Sequence, residues 1–256
     1  LVRNIFRHGN SAMPDFFKTL RILFMSISHP AKVQTDIVQW GGRKFELKNV
    51  KASLIQMDGQ EVLKIERDLE MLPFDLNNLS KTVDEPTYAR LNDFEFTDGI
   101  FEVKVLSRVQ QPSPFSASQG FLGINFRIAA DDSAFESIYL RPNAGRSNNQ
   151  FNRNHAVQYF SYPDYKFNRL RAEYPGVYET YADIGLDEWI TVRVHVSGDH
   201  SELYLNDGKY PAFIVNGMKG SVKSGTIGFF VDIGTEGYFK DFKIISFVNP
   251  KMNGGV

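Results

Sequence analysis

The sequence predicts an all-β chain folded as a two-sheet antiparallel sandwich, with a long irregular insertion on one face. Three stretches alternate apolar and polar residues as half-buried strands do: Ile100 to Leu106, Phe121 to Ala129 and Trp189 to Val196. Turn dipeptides such as Asp58-Gly59 and Asp207-Gly208 stand between apolar runs. Strands with one face on the core and one in water need a second sheet to cover the apolar side, which makes a sandwich. No βαβ rhythm or internal repeat is present, and neither G-x-G-x-x-G nor a phosphate loop occurs, so no nucleotide cofactor is expected.

Taken in order, residues 1–30 mix basic, apolar and polar types, and Phe16-Phe17 with Leu20, Leu23 and Phe24 suit a short helix. We expect this stretch to be an N-terminal appendage, residues 31–250 to form a single β-sandwich domain, and 251–256 to be a tail. Met13 to Ser28 is the one targeting candidate, with Lys18 and Arg21 ahead of Ile22-Leu23-Phe24-Met25, but no A-x-A site follows. An ordinary N-terminal segment is the competing reading. Phe45 to Val50 alternates as a strand, and Asp58-Gly59 joins that region to the run Glu61 to Ile65 as a hairpin.

Further along, Phe101, Val103 and Val105 share one face against Glu102 and Lys104. Leu122, Ile124, Phe126 and Ile128 oppose Gly123, Asn125 and Arg127, and Ile138 with Leu140 set the phase of the next strand. Ile190, Val192, Val194 and Val196 oppose Thr191, Arg193 and His195. Leu203 with Leu205, Thr226 to Ile233 and Tyr238 to Phe247 complete the set, with turns at Gly198-Asp199 and Gly234-Thr235.

Bulk properties remove several function classes. A net charge of −1 with no long Lys/Arg block makes nucleic acid a poor partner. The count of 0 cysteines rules out disulfides, thiolate metal sites and Cys nucleophiles. No run reaches the ~18–20 apolar residues that span a bilayer. Neither a metal nor a cofactor is called for, since the five histidines are scattered and no EF-hand loop occurs.

Between Leu140 and Trp189 the composition changes, becoming rich in Arg, Asn and Tyr. Connections longer than ~12–15 residues in a compact domain are usually functional or disordered. Tyr159, Phe160, Tyr162, Tyr165, Phe167 and Tyr174 make this one too aromatic for disorder. Arg forks, amides and flat phenol rings suit a sugar, whose hydroxyls need paired donors and acceptors and whose apolar face needs a ring. Strand phase turns Asn125, Arg127, Tyr139 and Arg141 away from the core, so these four are expected to floor a groove that the long segment walls in.

Blander readings stand beside each candidate. Arg169 and Arg171 have Asp164, Glu173 and Glu179 nearby as structural partners. Tyr174 and Tyr178 flank Pro175-Gly176 and suit packing. His155 fits a general acid or base, or a structural histidine; His195 fits a solvated strand position. Glu136 shares phase with Ile138 and Leu140, which makes it either a buried acid of raised pKa or an arginine partner. Glu66, Asp68 and Glu70 show the E-x-D-x-E spacing of laminarinase-type glycosidases. Arg67 and the break at Met71-Leu72-Pro73 speak instead for a charged strand end.

The stretches Gly120 to Arg127, Glu136 to Arg146 (ESIYLRPNAGR), Asn152 to Leu170 (NRNHAVQYFSYPDYKFNRL), Trp189 to Gly208 and Gly225 to Lys243 together resemble bacterial members of the concanavalin A-like lectin/glucanase superfamily. Within it they are similar to domains labelled glycoside hydrolase-like or 3-keto-disaccharide hydrolase. The resemblance covers roughly Asp84 to Phe247. It implies a jelly-roll sandwich with a sugar-binding concave face, in proteins exported to the periplasm or outside the cell. It also implies site residues at Tyr139, Arg141, Asn143, Arg146, Asn152, Arg153, His155, Gln158 and Tyr162, to which the residue-level reading adds Asn125, Arg127 and Arg169 as saccharide contacts and Glu136 with His155 as proton-transfer groups. A saccharide ligand is thus the first expectation, bound by either a glycosidase-like or a lectin-like protein. The second is a module in which the same Tyr- and Arg-rich segment meets a protein partner. A concave groove would favour the first and a flat apolar patch the second.

Overall fold

The computed structural model describes residues 37–248, all within one compact unit. The N-terminal appendage, its targeting candidate and the C-terminal tail lie outside the described residues. In chain order the strands are β1 (Ile37–Trp40), β2 (Arg43–Lys48), β3 (Val50–Met57), β4 (Gln60–Arg67), β5 (Tyr88–Leu91), β6 (Asp98–Val109), β7 (Leu122–Ile128) and β8 (Phe135–Leu140). They continue as β9 (Val157–Tyr162), β10 (Glu179–Thr180), β11 (Ile190–Ser197), β12 (His200–Leu205), β13 (Phe213–Asn216), β14 (Thr226–Val231) and β15 (Thr235–Val248). Three short helices, α1 (Pro142–Gly145), α2 (Gln150–Arg153) and α3 (Phe167–Glu173), flank β9.

The strands form an eight-stranded sheet ordered β1-β2-β5-β14-β7-β8-β9-β10 and a seven-stranded sheet ordered β13-β12-β11-β6-β15-β4-β3. Pairings are antiparallel, so the architecture is the jelly-roll-like sandwich expected from the alternation. Phe101, Val103 and Val105 of β6 and Ile190, Val192 and Val194 of β11 are buried, with the intervening residues half-exposed. Across the sheets Phe101 meets Phe126 at 6.1 Å and Phe229 stacks on Phe239 at 4.9 Å between ring centroids. The hairpin at Asp58-Gly59 is present, with φ of 52° and 76°, the two positive values a type I′ turn requires.

The eight-stranded sheet departs from simple alternation. Every residue of β7 and β8 is buried. Its outer face carries its own aromatic layer: Tyr139, Phe160 and Phe230 meet pairwise at 5.6–5.7 Å, and Phe135 stacks on Tyr162 at 5.0 Å. Register explains the cluster, because Phe230, Gly123, Tyr139 and Gln158 stand directly opposite one another across β14, β7, β8 and β9. Gly123 leaves the room that the Tyr139 ring crosses, since a Cβ there would lie 2.4 Å from Tyr139 Cα.

Two chain segments lie over that face. One is the connection from Asp68 to Thr87, with a 3₁₀ turn at Leu76–Lys81; the other is the stretch holding α1, α2 and α3. They are tied together: Lys166 donates to the carbonyls of Ser80 and Val83 and pairs with Glu85, and the Phe167 N–H donates to Asp84 at 2.9 Å. The expected irregular insertion is therefore partly regular. Its middle, Val157–Tyr162, is a full sheet strand between β8 and β10.

Candidate functional site

Where β8 ends and β7 begins, the outer face of the eight-stranded sheet is left open between the two covering segments. The opening is a cavity of about 220 Å³. Tyr139 and Arg141 form its base, Phe121 and Phe167 flank the arginine, and Asp84, Asp232, His155 and Arg171 bring polar groups to the wall. Leu79 and Phe151, both partly or largely exposed, stand at the rim.

Arg141 follows Leu140 at the start of α1, where Pro142 fits the first helical position and stops the strand. The residue is 7% exposed, and its guanidinium sits 5.0, 5.6 and 6.0 Å from the rings of Tyr139, Phe167 and Phe121. It donates to the Tyr139 hydroxyl and to the His155 carbonyl, engaging two of the five N–H donors an arginine carries. Burial pushes the Tyr139 phenol far above its ordinary pKa, so it stays protonated and keeps its own proton to donate.

The two acidic residues differ. Asp232 follows β14, and its carboxylate accepts from Arg67 at 2.7 Å, from its neighbour Ile233 N–H at 2.7 Å and from Asp84 N–H at 3.0 Å. Arg67 also donates to the carbonyls of Leu72, Pro73 and Thr82, pinning the Asp68–Thr87 segment over the sheet. Asp84, at φ 52°, accepts among the described residues the Phe167 N–H alone. Burial, reinforced by the Asp232 charge and only partly offset by the Phe167 N–H, Arg141 and Lys166, pushes its carboxyl up to about 6. Asp84 is thus able to change protonation near neutral pH.

His155 Nδ1 lies 2.7 Å from Glu179 Oε2, although neither ring nitrogen is aligned for a hydrogen bond. Burial and the nearby Arg171 charge lower its pKa against the opposing pull of Glu179, so the ring is neutral at pH 7. Arg171 itself pairs with Glu179 at 2.7 Å.

The structure brings together only part of the expected set. Tyr139, Arg141, Asn152 and His155 line the cavity, Asn152 from its exposed mouth. Asn125 and Gln158 are buried away from it, Gln158 donating to the carbonyls of Tyr159 and Tyr178. Arg127 does not join the floor: the bulge opposite Thr226–Gly228 gives it φ 53°, and its guanidinium pairs with Asp98 at 2.8 Å at the far end of the strand. Glu136 is buried against Tyr159 OH at 2.6 Å and Gly220 N–H at 2.8 Å, outside the cavity; burial raises its pKa against those bonds.

Asn143 donates to the Ser118 carbonyl, Arg146 pairs with Asp183 and Glu188 in solvent, and Arg153 lies 5.0 Å from the Tyr181 ring. Tyr162 belongs to the aromatic layer, and Arg169 forms a surface pair with Glu173. None of these five lines the cavity. The Glu66-Asp68-Glu70 triad is dispersed: Glu66 accepts from Gln110, and Asp68 accepts the Glu70 N–H within a turn.

Sequence reasoning missed Asp84, Asp232, Arg67 and Phe167. Asp232 left a signal, as the one charged residue in the otherwise apolar run Ile227 to Ile233. Asp84 left none, because its role depends on Phe167 and Asp232, 83 and 148 residues away in sequence.

Fold and cavity together define a class: a two-sheet β-sandwich with a cavity of about 220 Å³ on the outer face of one sheet. No protein-family model matches the chain, and no curated protein does. Solved structures similar to it include the carbohydrate-binding module CBM66 from Bacillus subtilis, 10% identical, covering 77% of this chain and 94% of that one at a TM-score of 0.45. A Bacillus subtilis protein of unknown function with a galectin-like fold is 11% identical over 75% and 86% of the two chains, TM-score 0.41. Galectin LEC-6 from Caenorhabditis elegans is 14% identical over 58% and 84%, TM-score 0.34.

Proposed function

We propose that this chain binds a saccharide by taking one terminal sugar unit end-on into the cavity above Tyr139 and Arg141. A volume of about 220 Å³ is below the ~300–1,000 Å³ of pockets for drug-sized ligands. It equals the liquid volume of roughly seven waters at ~30 Å³ each, a space that suits one sugar ring. The observation that carries the reading is the pairing, in one concave site, of aromatic faces with a buried arginine fork that keeps unused donors. A protein partner would be better served by a flat apolar patch than by this recess.

Binding is better supported than hydrolysis. Glycosidases of the usual kind need two carboxyl groups free to act on the scissile bond. Here Asp84 is available, whereas Asp232 is consumed by Arg67 and two backbone N–H groups. We place the protein in the periplasm or outside the cell, following the resemblance; no helix among the described residues is long and apolar enough to cross a membrane.

The test is a glycan array read with the wild-type chain and with Ala117→Trp, which plugs the cavity from an exposed rim position. Glycan binding by the wild type, lost in the plugged variant, is the expected result. Binding that survives the plug would move the site elsewhere.

A further inference from the structure

The buried arginines of this fold are not treated alike. Arg67 has Asp232 at 2.7 Å and Arg127 has Asp98 at 2.8 Å, each guanidinium neutralised by a carboxylate. Arg171, next to the cavity, has Glu179 at 2.7 Å. Arg141, at 7% exposure, is the exception among the described residues: it has no carboxylate within ion-pair distance and is satisfied only by a phenol and a backbone carbonyl. A buried charge without a counter-ion is costly, and proteins normally pair it or leave it to a ligand.

The unpaired cation is also held ready. Three aromatic rings flank it within 6.0 Å, close enough for each to attract the cation. Nε and one N–H on each of Nη1 and Nη2 remain unused in the guanidinium plane, and neighbouring donors of that plane match a carboxylate with two parallel hydrogen bonds. Asp84 of the wall, near enough for the Arg141 charge to lower its pKa, accepts the Phe167 N–H and forms no ion pair with Arg141. Asp84 and Asp232 in the same wall disfavour a doubly charged group such as phosphate, leaving a planar monoanion as the better fit.

We infer that the sugar unit taken by the cavity is an acidic one, a uronate whose carboxylate is held by the Arg141 guanidinium. This rests on the saccharide reading above and narrows it. The aromatic walls then carry the pyranose face, and the Tyr139 hydroxyl, itself anchored by Arg141, offers its proton to the same carboxylate or to a ring substituent.

The test is calorimetric titration of the wild-type chain at pH 7 with glucuronate and galacturonate, their neutral counterparts glucose and galactose, and benzoate as a carboxylate without hydroxyls. At least one uronate should bind at least about tenfold more tightly than its neutral counterpart and than benzoate, one buried charged contact being worth that much or more. Arg141→Gln, checked for folding by near-ultraviolet circular dichroism, should abolish the preference for the acid. Neutral hexoses binding as tightly as the uronates would overturn the acidic specificity while leaving the saccharide reading intact. Benzoate binding as tightly as the uronates would overturn the saccharide reading and this inference with it. Silence from all five ligands at millimolar concentration would overturn both, and the wild-type comparison stands even if the variant fails to fold.

Discussion

Asp84 is packed under the first residue of α3 with a single hydrogen bond to its carboxylate, from Phe167 N–H. An unfolded aspartate releases its proton near pH ~4; burial and Asp232 hold the folded one to about 6. Between those values the folded state binds more protons than the unfolded, so stability falls as pH rises from about 4 to about 6 and is level above. The total loss is about 3 kcal/mol at ~1.36 kcal/mol per pH unit. Asp84→Asn keeps an acceptor for the Phe167 N–H and removes the charge. Urea denaturation from pH 4.5 to 7.5 should show this part of the slope removed and the variant more stable at pH 7; an unchanged slope would mean that Asp84 titrates normally.

Arg67 and Asp232 call for the opposite experiment. Their side chains are only 1% and 4% exposed, so Arg67→Met strands a buried carboxylate. The expected cost is about 3–5 kcal/mol of unfolding free energy, read from the urea midpoint. Glu136 separates a structural acid from a ligand contact: Glu136→Gln should leave saccharide affinity unchanged within error, whereas a marked loss would return it to the site.

At the scale of elements, the cavity depends on how β7 and β8 meet. Gly123→Ala would bring a Cβ to 2.3 Å from the Ile138 carbonyl oxygen and 2.4 Å from Tyr139 Cα. The strands would have to part, at about 1–3 kcal/mol for an overpacked site. A thermal melt should show the loss, together with weakened binding as Tyr139 shifts; a variant melting at the wild-type temperature would show that the strands give way freely.

The same two strands mark the limit of what the sequence reveals. β6 and β11 were legible because one face meets water and the polar positions alternate. β9, VQYFSY, was hidden because only its last residue escapes full burial, so its letters carry no period of two. The phase of Tyr139 and Arg141 was legible for the opposite reason, because β8 runs without a break to its end. That of Arg127 was not, since a bulge has no reliable mark in the letters. The insertion's composition marked the stretch that supplies Arg141, His155 and Phe167 to the cavity, yet most of its arginines serve the fold, through Glu173, Glu179 and Glu188.

At the scale of the whole molecule, a sandwich that needs only its inner faces for stability has covered one outer face as well. The covering segments from Asp68–Thr87 and from α1–α3 leave a recess over Tyr139. Chemical-shift mapping of the ¹⁵N- and ¹³C-labelled chain, titrated with the best glycan from the array, tests the central claim most directly. Perturbations concentrated on Phe121, Tyr139, Arg141, His155 and Phe167 are the predicted result; perturbations confined to the outer face of the seven-stranded sheet, around Arg193 and Tyr204, would contradict it.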